Sequence, residues 1–158
     1  MIDIEKPEKI LNGLSVDYSY YLNIEKDING ALYKLNQTSW KDLSLKEIIR
    51  QFSKGIAELW KAHPFREGNT RSILKFASHY AKANNLPFKE DLLVLYSGHL
   101  RKALVMASIG EYSEQKYLEA IIYEFIKEGF KELTEHRVNK INERNIGQGI
   151  NKNYDMEL

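Results

Sequence analysis

Apolar side chains recur at three- and four-residue spacing along most of the chain between Ser44 and Leu133. This spacing matches the 3.6-residue period of the α-helix and places one apolar stripe on each helix. Alternation at a two-residue period, which would indicate strands, is poor and confined to residues 31–43. The pattern therefore predicts an all-α fold with at most one small β-hairpin, over residues 33–43.

The clearest predicted helix begins at Ser44, which forms a capping-box pattern with Glu47. It should stop before Pro64, because a proline disfavours the helical conformation of the residue that precedes it. Three further helices are predicted after Gly68 as far as Asn84, over residues 89–109, and from Ser113 to Leu133. A weaker helix over residues 23–35 is expected to be interrupted at Asn29-Gly30, and residues 147–158 are expected to be a frayed tail.

The length of 158 residues predicts a single domain, 1–158, large enough to bury roughly 70% of its unfolded surface. The formal net charge of +1 gives no reason to expect nucleic acid or an anionic membrane as the main partner. No apolar run approaches the ~20 residues of a membrane span, and the polar, acidic residues 1–9 do not resemble a signal peptide. The sequence has no cysteine, which fits a reducing compartment. We therefore expect a cytoplasmic protein.

The stretch richest in chemically active side chains is His63-Pro64-Phe65-Arg66-Glu67-Gly68-Asn69-Thr70-Arg71, between two predicted helices. Loops between rigid elements often carry catalytic groups. Near neutral pH His63 can accept a proton from a hydroxyl. Glu67 is a hard oxygen ligand that suits Mg²⁺, which proteins commonly hold with one or two carboxylates plus substrate phosphates.

The end of this stretch is suited to bind phosphate. The first amides of a helix have no partner within it, and the helix dipole favours negative charge there. Gly68 lets a ligand approach the amides of Asn69 and Thr70 closely, and Arg71 can make a two-pronged charged contact with phosphate oxygens. A base, a metal ligand and an anion hole are what phosphoryl or nucleotidyl transfer requires.

The same residues also have an ordinary structural interpretation. His63 could simply end a helix, and Glu67 and Arg71, four residues apart, could form only a surface ion pair. On residue types alone the two interpretations are equally supported, since short motifs have a real rate of false matches. His79, His99 and His136 have no second ligand at metal spacing and are expected to be structural or surface residues.

The stretch resembles the signature of Fic-domain proteins, the Fic/Doc superfamily, which is His-x-Phe-x-Asp/Glu-Gly-Asn-Gly-Arg-x-x-Arg. The defined positions match up to the first arginine, except that Thr70 replaces the second glycine. The resemblance covers about residues 23–127, which leaves an N-terminal extension over 1–22 and a C-terminal helix and tail over 128–158. It implies a Fic-type helical core.

The resemblance also implies a reaction, the transfer of AMP from ATP to a Ser, Thr or Tyr hydroxyl of a target protein, with Mg²⁺ as cofactor. It implies that His63 is the general base and that Glu67 binds Mg²⁺. By the same match, Asn69 would contact the α-phosphate, Gly68 and the amides after it, including that of Thr70, would form the anion hole, and Arg71 would stabilise the outer phosphates.

Two structural roles follow from the resemblance. Phe65 would point into the core and anchor the loop, above a Trp60 that we expect to pack beneath it. In the family a hairpin flap upstream of the motif usually docks the target backbone by strand addition. The hairpin predicted over residues 33–43 is the candidate, with Tyr33, Leu35 and Trp40 as docking residues.

Two departures from the signature affect the expected activity. The Thr70 side chain crowds the space above the phosphates, and Leu74 stands where the second arginine, which usually grips the γ-phosphate, belongs. Lys75 is adjacent, but one helical step is a rotation of about 100°, so we expect it to point elsewhere. Losing one charge-assisted contact costs on the order of 1.5–3 kcal/mol. ATP binding is then weaker, the donor differs, or the activity is low.

The leading hypothesis is a bacterial toxin-type AMP-transferase that acts in the cytoplasm or in a host cell. The sequence lacks the inhibitory Ser/Thr-x-x-x-Glu-Gly/Asn motif of the family, so an inhibitor is expected to be a separate small antitoxin-like protein. Doc-like phosphotransferases replace the Gly-Asn-Gly run of the signature with other residues. This sequence keeps Gly68-Asn69, so a Doc-like phosphotransferase ranks second. The other alternative is a catalytically weak nucleotide-binding or interaction module, which the Leu74 departure favours.

Overall fold

A computed structural model describes residues 14–154, and within that range the chain forms six α-helices and no β-strand. The helices are α1 (Ile24–Asn36), α2 (Leu45–Ala62), α3 (Asn69–Ala83), α4 (Leu92–Leu95), α5 (Ser97–Met106) and α6 (Lys116–Tyr154). Single 3₁₀ turns span Tyr21–Asn23, Trp40–Asp42 and Gly110–Tyr112. The all-α class is confirmed. The first part of the N-terminal extension, 1–13, and the last four residues lie outside the described range.

The hairpin predicted over residues 33–43 is wrong. Tyr33 and Leu35 belong to α1, which continues without interruption through Gly30, and Trp40 lies in a 3₁₀ turn. Leu35 and Trp40 are buried, with 3% and 6% exposure, and the Trp40 indole N–H donates to the Tyr80 hydroxyl at 3.1 Å. Packing against the other helices therefore outweighs the local turn and strand signals, and no flap for strand addition forms here.

Helix α2 confirms the predicted start and stop signals. The Ser44 hydroxyl accepts a hydrogen bond from the Glu47 amide, and the Ser44 amide donates back to the Glu47 carboxylate at 3.1 Å. The helix ends at Ala62, and His63 takes a left-handed conformation with φ of 47°. Its apolar side is buried against α1, α3 and α6, so α2 is the central element of the core.

A chain of aromatic rings fixes the elements around α2. Phe52 makes edge-to-face contacts with Trp40 at 6.0 Å and with Phe88 at 5.9 Å between ring centroids. Phe88 in turn contacts Phe125 of α6 at 5.3 Å. Such pairs contribute about 0.5–1.5 kcal/mol beyond their buried area. They join α2 to the 3₁₀ turn at Trp40 and, through Phe88, to α6.

The C-terminal half departs from the sequence prediction in three places. The helix predicted over residues 89–109 is two short helices, α4 and α5, separated at Tyr96. Helix α6 begins at Lys116 rather than Ser113. It continues to Tyr154, so the frayed tail expected from residue 147 is helical as far as it is described. Across residues 14–154, no helix combines the length and the apolar character needed to span a membrane.

Candidate functional site

A cavity of about 1830 Å³ lies over the loop between α2 and α3. Its wall includes every residue from His63 to Arg71, together with parts of the N-terminal segment before α1 and of helices α4 and α5. Small-ligand pockets usually measure about 300–1,000 Å³, so this cavity is large enough for a nucleotide with further space beside it. The structure thus brings the predicted loop residues into one cavity, whereas Tyr33, Leu35 and Trp40 do not line it.

The His63 side chain is held between two aromatic rings at the cavity wall. The Tyr18 ring lies 4.1 Å from the imidazole, and the Trp60 ring lies 5.6 Å away and edge-on, both between centroids. The His63 amide donates to the Trp60 carbonyl at 3.1 Å, which closes the end of α2. A left-handed conformation is uncommon for a residue other than glycine, and it places this histidine in the cavity instead of on the helix.

The start of α3 forms part of the cavity wall. Gly68 precedes the helix with φ of 82°, a conformation that glycine adopts without steric cost. The first helical hydrogen bond runs from the Ser72 amide to the Gly68 carbonyl, at 2.9 Å. The amides of Asn69, Thr70 and Arg71 come before that bond, at the end of the helix where negative charge is favoured.

Asn69 organises the loop from inside. Its side chain is buried, with 6% exposure, and its carbonyl oxygen accepts from the Phe65 amide at 3.0 Å. Its side-chain amide donates to the Phe65 carbonyl. Both polar ends of the side chain are therefore used within the loop, which differs from the α-phosphate contact that the resemblance implied.

Phe65 does not anchor the loop in the way that was expected. Phe65 is 54% exposed and lines the cavity, so the prediction that it points into the core is wrong. The physical reason is the pair of hydrogen bonds with Asn69, which holds the loop through the Phe65 main chain and leaves the ring outside.

Thr70, the first departure from the signature, is accommodated beneath the loop. Its hydroxyl accepts a hydrogen bond from the Trp60 indole N–H at 3.1 Å. Trp60 is 2% exposed, so the prediction that it packs under the loop is confirmed. The bond ties the threonine side chain to the core side of the cavity wall, so it crowds the phosphate space less than expected.

Three carboxylate side chains of the described residues line the cavity. Glu67 is exposed and lines the cavity, as do Asp17 and Glu90. The described part of the chain has no group of three or more His, Cys, Asp or Glu side chains placed to hold a metal ion. Because Mg²⁺ is commonly held by one or two carboxylates plus substrate phosphates, Glu67 suits it when a phosphorylated substrate completes the shell.

Lys75 lies in the cavity wall, which corrects the expectation that it points elsewhere. Lys75 is rotated by about 100° from Leu74 but follows Arg71 by four residues, which places Lys75 and Arg71 on one face of α3. Its ammonium group lies 3.0 Å from the Glu90 carboxylate. Hydrogen bonds from Lys75 and then from Ser78 hold the pKa of Glu90 below its usual value.

Several residues of the wall were not expected from the sequence, and Tyr18 and Arg101 are two of them. Tyr18 comes from the segment that was placed outside the core as an extension, and Arg101 comes from α5. The segment is attached through the Ser19 amide, which donates to the Lys61 carbonyl at 3.1 Å. The only sequence signal for this segment is its tyrosine-rich composition near residue 20. That composition does not indicate that the segment lies close to the loop.

No protein-family model matches the chain, and neither a curated protein nor a solved structure matches it. The resemblance to Fic-domain proteins therefore rests on the sequence alone, chiefly on residues 63–71.

Proposed function

We propose that the protein is a Fic-type adenylyltransferase that transfers AMP from ATP to a hydroxyl side chain of a target protein. The observation that carries this proposal is the shared cavity, whose wall includes His63, Glu67, Arg71 and the start of α3. Each of these groups has a task in nucleotidyl transfer, and the cavity has room for ATP and for an approaching side chain.

In this reaction the target hydroxyl oxygen bonds to the α-phosphorus of ATP, the bond to the β-phosphate oxygen breaks, and pyrophosphate leaves. His63 takes the hydroxyl proton, while Tyr18 and Trp60 keep its ring in place. The amides of residues 69–71 and the Arg71 guanidinium stabilise the charge on the phosphate oxygens. Mg²⁺ bound at Glu67 would neutralise part of the phosphate charge.

The setting that we propose is a bacterial toxin in the cytoplasm or in a host cell, inhibited by a separate small protein. The support for inhibition in trans is in the sequence, which has no Ser/Thr-x-x-x-Glu-Gly/Asn motif. The acceptor of AMP would be a Ser, Thr or Tyr hydroxyl of another protein.

The test uses ATP labelled at either the α- or the γ-phosphate, incubated with the protein, Mg²⁺ and a bacterial lysate as the source of acceptors. AMP transfer places the α-label, and not the γ-label, on protein. His63→Ala should abolish this labelling, whereas His136→Ala, an exposed histidine on α6, should leave it unchanged.

The two alternatives give different results in the same experiment. Transfer of the γ-label alone would show a Doc-like phosphotransferase. Absence of both labels from protein, although ATP binds, would favour the catalytically weak nucleotide-binding module. Leu74 supports that alternative, because it lines the cavity and carries no charge. Labelling that persists in His63→Ala would contradict the role of that residue as base.

A further inference from the structure

Two basic side chains on one face of α3 line the cavity. Arg71 and Lys75 are one helical turn apart and both line the wall, while Leu74 between them is 9% exposed. Glu90, from the segment before α4, lines the same wall and pairs with Lys75 at 3.0 Å. The Glu90 carboxylate is therefore paired with Lys75, one of these two basic side chains, in a cavity whose other groups suit a phosphate.

We propose that Lys75 is the second phosphate-binding cation of this site, and that Glu90 holds it until the outer phosphates of a nucleoside triphosphate displace the carboxylate. The inference rests on the proposed function, because it assumes that the innermost phosphate lies at the start of α3. Lys75 would then be a determinant of ligand choice that the family signature does not contain, since the second arginine of the signature corresponds to Leu74.

Replacing the Glu90 carboxylate by a phosphate at Lys75 costs little free energy. The Lys75 and Glu90 side chains are 64% and 52% exposed, and an exposed ion pair changes an equilibrium constant by no more than about fivefold. A triphosphate carries several negative charges and competes well for the same ammonium group. The Glu90 carboxylate stays in contact with water after the exchange, because its side chain is 52% exposed.

Lys75 would also distinguish ligands by their number of phosphates. A phosphate at the amides of residues 69–71 lies beside Arg71, and Lys75 is one turn further along the helix. AMP has only the phosphate that the amides bind, so its affinity should not depend on Lys75. ATP and inorganic triphosphate extend further, and their affinity should.

The experiment measures binding of ATP, AMP and inorganic triphosphate by calorimetry, with Mg²⁺ present. Lys75→Gln should weaken ATP and triphosphate by about tenfold or more and AMP by less than about twofold. Glu90→Gln should tighten ATP binding by up to about fivefold, because it removes the competing carboxylate.

Matched controls separate these effects from general changes in charge. Lys82→Gln removes an exposed lysine of α3 outside the cavity, and Glu58→Gln breaks the exposed pair with Lys34, whose atoms are 3.1 Å apart. Neither should change the three affinities. An ATP affinity that is the same in Lys75→Gln as in Lys82→Gln would overturn the inference, as would equal weakening of ATP and AMP.

Failure of this inference and failure of the proposed function have different signatures. AMP transfer by the wild type, with unchanged ATP affinity in Lys75→Gln, overturns only the role of Lys75. Triphosphate binding that depends on Lys75, without any AMP transfer, supports Lys75 and overturns the proposed reaction. A wild type that binds neither ATP nor triphosphate overturns both.

Discussion

The Asn69 side chain controls the shape of the loop that faces the cavity. It is buried, and its two polar ends both bond to the main chain of Phe65. Removing one partner of a buried hydrogen bond leaves the other unsatisfied, at a cost of about 1–3 kcal/mol. The residue thus fixes the turn that places Glu67 and Gly68 beside the cavity.

Asn69→Ala should lower the free energy of unfolding by about 1–3 kcal/mol, because the Phe65 amide and carbonyl lose their partners. Asn69→Asp keeps the acceptor for the Phe65 amide and loses the donor, so its loss should be smaller. Urea denaturation measures both. A variant Asn69→Ala as stable as the wild type would mean that the side chain serves a ligand and not the loop.

At the scale of the element, the start of α3 depends on one glycine. Gly68→Ala should cost about 1 kcal/mol, since φ of 82° is unfavourable for alanine although the added methyl would meet no atom within 4 Å. Gly30→Ala is the matched control, because Gly30 lies inside α1, also with open space, and alanine should stabilise that helix by about 0.5–1 kcal/mol. Equal effects of the two substitutions in urea denaturation would contradict this account.

The start of α2 should depend on pH. Hydrogen bonds from the Ser44 hydroxyl and then from its amide hold the pKa of Glu47 below its usual value of 4.5. A lowered pKa means that the fold prefers the ionised carboxyl, so its contribution is present above pH 4.5 and is lost as the pH falls through the lower folded value.

The stability difference between the wild type and Glu47→Gln should therefore narrow below pH 4.5, as followed by urea denaturation from pH 7 to 3. Ser44→Ala should remove most of this pH dependence, because it removes the hydroxyl that lowers the pKa. A difference that stays constant over the whole range would show that the carboxyl is not held at the cap.

At the scale of the whole molecule, α6 lies directly on the connection that follows α3. A methyl group on Gly129 would come within 2.6 Å of the Phe88 nitrogen and the Pro87 carbonyl carbon. The same contact is reinforced by the Lys89 amide, which donates to the Phe125 carbonyl at 3.0 Å. This close approach sets the position of α4 and α5, and with it one side of the cavity.

Gly129→Ala should therefore destabilise the protein by about 1–3 kcal/mol or more, since main-chain atoms cannot move away as a side chain can. Gly98→Ala provides the control, because Gly98 lies in α5 and an added methyl would meet nothing within 4 Å. Thermal and urea unfolding measure the difference. A Gly129→Ala protein as stable as Gly98→Ala would contradict the packing described.

What the sequence predicted correctly has local causes. The bounds of α2 follow from the Ser44 capping box and from Pro64, and the position of the loop follows from Gly68. The errors come from long-range contacts, which leave no local signal. The hydrogen bond of Trp40 to Tyr80 and the approach of Tyr18 to His63 join residues about forty apart in sequence, so neither could be inferred from spacing.

The central claim is that ATP places its phosphates at the start of α3, and a titration of backbone amide NMR signals with ATP and Mg²⁺ tests it most directly. The amides of residues 68–72 should shift most, and Arg71→Ala should weaken the binding that causes the shift. The claim is contradicted if these amides stay unchanged while signals elsewhere move, or if ATP moves no signal at all.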